Sequence, residues 1–230
     1  MHANNMLLNA DRLRHVVMHG AKLPWLQSSE YGVERCMLER AGGEIALATS
    51  IVRYQPGSKF SSHIHDLGEE FLVLEGTFAD EHGEYSAGTY VRNTPGSSHA
   101  PYSTHGCTIF VKLRQMARND TGRVKLLPDQ QVWQSSGNEI EQALLYANDS
   151  IVVGLLRMKS GCELPARRCH DGEELFVIQG SVLWCDARRT VLNKWSWLRN
   201  PGSEHRALIS QDDSLLWIKR GHLNPVESNG

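Results

Sequence analysis

No stretch of the chain approaches the roughly 18 consecutive apolar residues that a membrane-spanning helix requires, and polar residues interrupt any signal-like core within residues 1–22. A cytoplasmic protein without a membrane partner is expected. Positive charge is not in excess either: 24 Lys and Arg stand against 26 Asp and Glu, giving a net charge of -2. A surface that binds nucleic acid through its phosphates needs a basic stripe, so direct nucleic-acid binding is not expected. The five cysteines, Cys36, Cys107, Cys162, Cys169 and Cys185, are odd in number and include no C-x2-C pair. That argues against a disulfide framework and fits a reducing compartment.

What the sequence does contain is β-patterning. Residues 45–54 are β-branched and roughly alternating, and short apolar runs recur at 71–74, 90–91 and 108–113. Turn chemistry separates them at Pro56-Gly57, Asp80-Glu81-His82-Gly83 and Pro95-Gly96. Short strands at this spacing predict a barrel or sandwich. Little helix is expected, except that residues 3–19 can be read as an amphipathic helix with Leu7, Leu8, Leu13, Val16 and Val17 as its apolar side.

The same order of signals returns about 104 residues later. Gly57 matches Gly161, Gly68-Glu69-Glu70 matches Gly172-Glu173-Glu174, and Gly76 matches Gly180. With one residue fewer, Arg92-Asn93-Thr94-Pro95-Gly96 becomes Arg199-Asn200-Pro201-Gly202, His99 becomes His205 and Lys112 becomes Lys219. Trp25 and Trp133 also correspond. Identical turn and strand signals demand the same backbone twice, so two copies of one all-β unit are predicted. The expected division is an N-terminal extension at 1–22, a first domain at 23–118 and a second at 119–230, with polar residues 114–131 as the linker.

Chemistry concentrates in the first copy, where Gly57 is followed by His63, His65, Glu69 and Gly76, and later by His99 after a Pro-Gly turn. His63 and His65 are two apart, so on a strand both imidazoles project from one face. Glu69 follows a short turn, and His99 must arrive from another strand. Three imidazole nitrogens and a carboxylate oxygen suit one divalent metal per chain, Zn, Fe(II), Mn or Ni, and residue type alone does not choose among them. A His-x-His pair alone is weak evidence, because surface histidines are common. Here two glycines, a carboxylate and a fourth ligand coincide with it. Glu70 is the alternative ligand, although adjacent strand residues face opposite ways and the spacing favours Glu69. Three other features carry ordinary readings: Asp80 and Glu81 as a solvated hairpin turn, Lys112 and Lys219 as solvent-facing barrel positions, and Tyr54, Tyr90, Arg92 and Tyr102 as packing residues near the barrel mouth.

These motifs, with Tyr54-x-Pro56-Gly57, Leu72-Val73-Leu74-Glu75-Gly76-Thr77-Phe78, Asp80-Glu81-x-Gly83-x-Tyr85 and Phe110-Val111-Lys112, resemble the ChrR-type cupins over most of residues 23–224. The resemblance implies an all-β protein of two double-stranded β-helix, or jelly-roll, domains in tandem. It also implies His63, His65, Glu69 and His99 as zinc ligands.

The second copy departs from this pattern. Arg167 stands at the place of His63 and Cys169 at that of His65, while Glu173 and His205 keep the places of Glu69 and His99. A guanidinium cannot donate an electron pair to a metal. The expectation is a degenerate site in which Arg167 pairs with Glu173. A site using Cys169, Glu173 and His205, or His170 after a one-residue shift, is the alternative. Neighbouring Arg167 and Arg168 would favour a Cys169 thiolate, against the commoner role of a buried small hydrophobe.

Two functions follow. ChrR-type proteins are anti-sigma factors whose cupin accompanies a zinc-binding domain with a His-x3-Cys-x2-Cys arrangement, and that arrangement is not found in this sequence. The first expectation is therefore a sensory or ligand-binding regulatory bicupin without the sigma-binding domain. Its partner would be a small-molecule ligand or a regulatory protein, with homodimer formation left open. The alternative is an Fe(II)-dependent cupin dioxygenase that cleaves β-diketones or aromatic ketones, since some cupins of this type resemble such enzymes.

Overall fold

The computed structural model describes residues 6–43 and 45–223. Its described residues form 26 strands and two single-turn 3-10 helices, Gly20–Lys22 and Pro128–Gln130. The all-β expectation holds. The chain divides into two compact units, the first made of residues up to Ala10 with Leu23–Gln130, the second of Asp11–Lys22 with residues from Gln131 onward.

In the first unit an antiparallel sheet runs Met6–Leu8, Val33–Gly42, Ala46–Tyr54, Cys107–Leu113, Glu69–Asp80, Tyr90–Asn93 and Val124–Leu126. The distal half of Glu69–Asp80 leaves this sheet to pair with Gly83–Ser86 and Tyr102–Ser103. The strand therefore belongs to both layers. Inward residues Val33, Val52, Tyr54, Phe71, Val73, Phe78, Val91, Ile109 and Val111 fill the space between. The bend is set at Gly76: its φ is +73°, and a Cβ there would lie 2.2 Å from the Gly106 carbonyl oxygen, so only glycine fits. Gly180 repeats the arrangement at φ +75°.

The second unit repeats the plan, with Trp133–Ser135, Ile140–Ala147, Val152–Met158, Ser214–Arg220, Glu173–Gln179, Ser196–Asn200 and Val16–His19 in its larger sheet. Its core surrounds Trp184, with Leu164, Val182, Leu192, Leu208 and Leu216.

Two expectations need correction. Residues 3–19 are not a helix where described: Met6–Leu8 pairs with Arg40–Gly42 in the first unit, and Val16–His19 pairs with Ser196–Arg199 in the second. The β-branched Val16 and Val17 suit this, and an open strand edge outweighs helical periodicity. Val124–Leu126 pairs with Tyr90–Arg92, so it packs with the first compact unit, which extends to Gln130. Matching arginines fasten these edge segments: buried Arg92 grips Asp120 and the Gly122 carbonyl, and buried Arg199 donates to the Asp11 carbonyl at 2.6 Å.

Lys112 and Lys219 are each only 1% exposed rather than solvent-facing. The Lys112 ammonium donates to Thr49 Oγ1 at 2.9 Å, and Thr49 in turn donates to buried Glu39. Lys112 sits opposite Glu70 and Lys219 opposite Glu174 in the strand register. Compensated in this way, an ammonium tolerates burial.

Candidate metal centre and its cavity

Two short strands build the site. His63–His65 pairs antiparallel with Ser97–His99, in a register that sets His63 opposite His99 and His65 opposite Ser97. The alternation read from the sequence thus brings both first-strand imidazoles to one face, and the register adds the third. The three ring centroids lie 4.7, 4.9 and 5.1 Å apart, and one nitrogen from each ring lies within 4.8 Å of the others.

His65 Nε2 and His99 Nε2 approach to 3.0 Å, while Glu69 Oε2 lies 3.4 Å from the first and 3.5 Å from the second. Ligands bound at about 2.1 Å to one ion sit about 3.0 Å apart at right angles and about 3.4 Å apart in a tetrahedron. The separations found are those of donors already gathered around a shared point, so the residues fit a divalent metal. His63 Nδ1 donates to the Ser61 carbonyl at 2.8 Å, which assigns the proton to that nitrogen and leaves Nε2 as the free donor.

Asp80 supports the cluster from behind, and its sequence setting gave no sign of this. Far from being a solvated turn residue, it is 5% exposed. Its Oδ2 lies 3.1 Å from His99 Nδ1, and its Oδ1 accepts from the Tyr85 hydroxyl at 2.9 Å and the His82 amide at 2.8 Å. Burial alone would raise the Asp80 carboxyl, but the bonds from His99, His82 and Tyr85 outweigh it and hold the pKa below the usual value. The same contact moves His99: burial opposes its charge, yet Asp80 and Glu69 prevail and its pKa rises. For His65 burial wins and the pKa falls. Glu70 points away from the cluster, accepting from the Tyr90 hydroxyl at 2.8 Å.

His63 and His65 face a cavity of about 420 Å³, within the range of small-molecule sites. Val52, Tyr54, Phe60, Ile109 and Val111 make much of it apolar, with Arg35, His63, His65 and Glu69 among its polar points and the paired Asp66 and Arg114 also in its wall. Of the aromatic and arginine residues placed near the mouth, Tyr54 lines it. Tyr90 and Arg92 are committed to Glu70 and Asp120, and Tyr102 is 39% exposed.

The second unit keeps the framework, pairing Arg167 with His205 in register, but its contacts correct the expected Arg167–Glu173 bridge. Buried Glu173 bonds His205 Nδ1 through Oε1 and meets Arg220 Nε at 3.5 Å through Oε2. Arg167 Nε and Nη2 have no hydrogen-bond partner among the described residues. The reason is register: Arg220 is the cross-strand neighbour of Glu173, as Leu113 is of Glu69, so the compensating cation comes from the sheet rather than from the former ligand position. That signal lay one residue beyond the Lys112 and Lys219 match. The Cys169 sulfur turns to the Gly172 carbonyl at 3.3 Å, and burial pushes its thiol up to about 11, so it is no thiolate near neutrality.

The ChrR cupin-like domain family matches this chain twice, at residues 13–117 and 121–224. No curated protein matches it in sequence at a significant level. Among solved structures, E. coli YlbA is 13% identical with a TM-score of 0.72, covering 98% of this chain and 97% of its own. The nickel(II)-bound bacterial pirin YhhW of E. coli is 12% identical with a TM-score of 0.67, covering 90% and 98%. The oxalate decarboxylase of Lactobacillus farciminis, in complex with formate, is 10% identical with a TM-score of 0.64, covering 91% and 86%. At these identities the likeness establishes the cupin barrel fold. With two matched domains and two barrels, the chain belongs to the ChrR cupin-like family as a bicupin.

Proposed function

We propose that the first barrel holds one divalent metal on His63, His65, His99 and Glu69, and uses it to bind a small organic molecule in the adjoining cavity. One observation carries this reading: the donors converge at metal-ligand spacing on the wall of an apolar cavity of about 420 Å³. A bound metal would supply a Lewis-acidic point for an oxygen atom of that molecule. The chain's own residues do the rest. Asp80 fixes the His99 ring and its tautomer, Ser61 fixes that of His63, and Val52, Ile109 and Val111 exclude water from the ligand's apolar part. The biological role that fits is a ligand-responsive regulatory protein, with the second barrel retained for structure.

The cavity's contact with the metal donors also favours a second reading, an iron(II) oxygenase acting on β-diketones or aromatic ketones. The two separate in one experiment. Protein loaded with Fe(II) or with Zn(II) is mixed with a β-diketone and an aromatic ketone while dissolved oxygen is followed. Substrate-dependent oxygen uptake by the iron form alone establishes the oxygenase. Saturable binding of either ketone without oxygen uptake supports the binding protein, and no binding of either ketone by either metal form overturns the ketone oxygenase.

A further inference from the structure

Arg35 is an inward-pointing cation in an apolar barrel, and the mechanism above gives it no task. On the strand Val33–Gly42 it is two residues from core residue Val33, so the two share the inner face, and its register partner is Val52, another core residue. It lines the same cavity as His63, His65 and Glu69, with its guanidinium carbon 5.9 Å from the centre of the Phe60 ring, which itself packs against His63 at 5.2 Å. The other charged groups nearby are already paired. Arg53 on the outer face bonds Glu34 at 2.8 Å, Arg114 bonds Asp66, and Glu69 is turned to the histidines. Among the described residues no carboxylate lies within ion-pair distance of Arg35. A half-buried guanidinium without a counter-ion, walled by Val52, Phe60 and Ile109, is costly to keep unless a ligand supplies the anion.

The second barrel offers an internal comparison. Glu141 and Arg157 there form the same outer-face pair as Glu34 and Arg53, which places Gln142 opposite Leu156 as Arg35 lies opposite Val52. The barrel that lost two of the histidines has a neutral side chain at this position. The barrel that kept them has a cation.

We infer that Arg35 is the anchor for a carboxylate, and that the ligand of the first barrel is an organic acid with an apolar aryl or branched aliphatic body. This rests on the proposed metal-and-cavity reading and specifies its ligand class. The planar guanidinium takes the carboxylate through two parallel N–H bonds, the apolar walls take the body, and the metal side of the cavity takes any further oxygen. Arg35 is a specificity residue and not a metal ligand, so it should select between an acid and its uncharged amide.

The test is calorimetric titration of the metal-loaded protein with benzoate, 3-phenylpropanoate and 4-methylpentanoate, each against its primary amide. Wild type, Arg35→Gln and Arg35→Lys are compared, with metal content and melting temperature measured on the same preparations. Wild type should prefer at least one acid over its amide by roughly tenfold or more, the gain expected of a charge-assisted hydrogen bond. Arg35→Gln should lose that preference while keeping its metal and its melting temperature, and Arg35→Lys should restore part of it. The assignment is overturned if no acid is preferred by wild type, or if Arg35→Gln keeps the preference. Wild type that prefers acids through Arg35 yet holds no metal would defeat the metal reading alone. Metal-loaded wild type whose acid preference survives in Arg35→Gln would defeat the Arg35 assignment alone.

Discussion

Asp80 Oδ2 stands 3.1 Å from His99 Nδ1, both side chains almost completely buried, so the carboxylate holds the imidazole with its Nε2 toward His65. Orienting contacts of this kind govern metal affinity as much as the ligands do. Asp80→Asn keeps the shape and removes the charge. It should weaken metal binding by about 10- to 100-fold, read by competition with a chromophoric chelator, while the far-ultraviolet spectrum stays that of a β protein.

Asp120 should behave as a structural residue. Arg92 is 1% exposed and is committed to Asp120 and the Gly122 carbonyl, so Asp120→Ala takes the carboxylate away from a buried guanidinium. Orphaning one member of a buried pair costs about 3–5 kcal/mol. Urea unfolding should show that loss in the transition of the first unit; an unmoved midpoint would mean the pair contributes nothing.

In the second unit the corrected contacts reverse an expectation about which residue matters. Glu173 is fully buried between His205 and Arg220, whereas two guanidinium nitrogens of Arg167 find no hydrogen-bond partner among the described residues. Glu173→Ala should cost about 3–5 kcal/mol, and Arg167→Met about 1 kcal/mol or less. Equal losses from the two variants would restore the Arg167–Glu173 pairing.

Thiol chemistry gives a pH dependence with a definite sign. Burial pushes Cys36, Cys107 and Cys169 from 9.0 up to about 11, so the folded state holds these protons more tightly than the unfolded chain. Their contribution to stability is complete below about pH 9 and is lost as pH rises toward about 11. At pH 8 an aromatic disulfide reagent should modify no more than the half-exposed Cys162 and Cys185 in the native protein, and all five cysteines after denaturation. Rapid modification of Cys169 in native protein would revive it as a reactive thiol.

The duplication was legible because turn glycines at Gly68, Gly76, Gly172 and Gly180 impose positive φ, and few other residues tolerate it. The histidine cluster was legible because strand alternation places His63 and His65 on one face whatever the tertiary context. Asp80 was not, since an Asp-Glu-His-Gly hairpin is ordinarily solvated, and its partner His99 comes from a strand 19 residues further on. Arg35 was hidden among Glu34, Glu39 and Arg40, charges whose faces only the sheet assigns. The N-terminal residues misled because Val16 and Val17 sit at helical spacing from Leu13, while the strand edge at Ser196–Arg199 that captures them lies far along the chain.

The most direct test is elemental analysis of protein purified without added metal, as wild type and as the His65→Ala and His99→Ala variants. The account predicts one equivalent of a divalent metal in the wild type and loss of it in both variants. Wild type free of metal after loading with zinc and with iron(II), or a full equivalent retained by both variants, would contradict it.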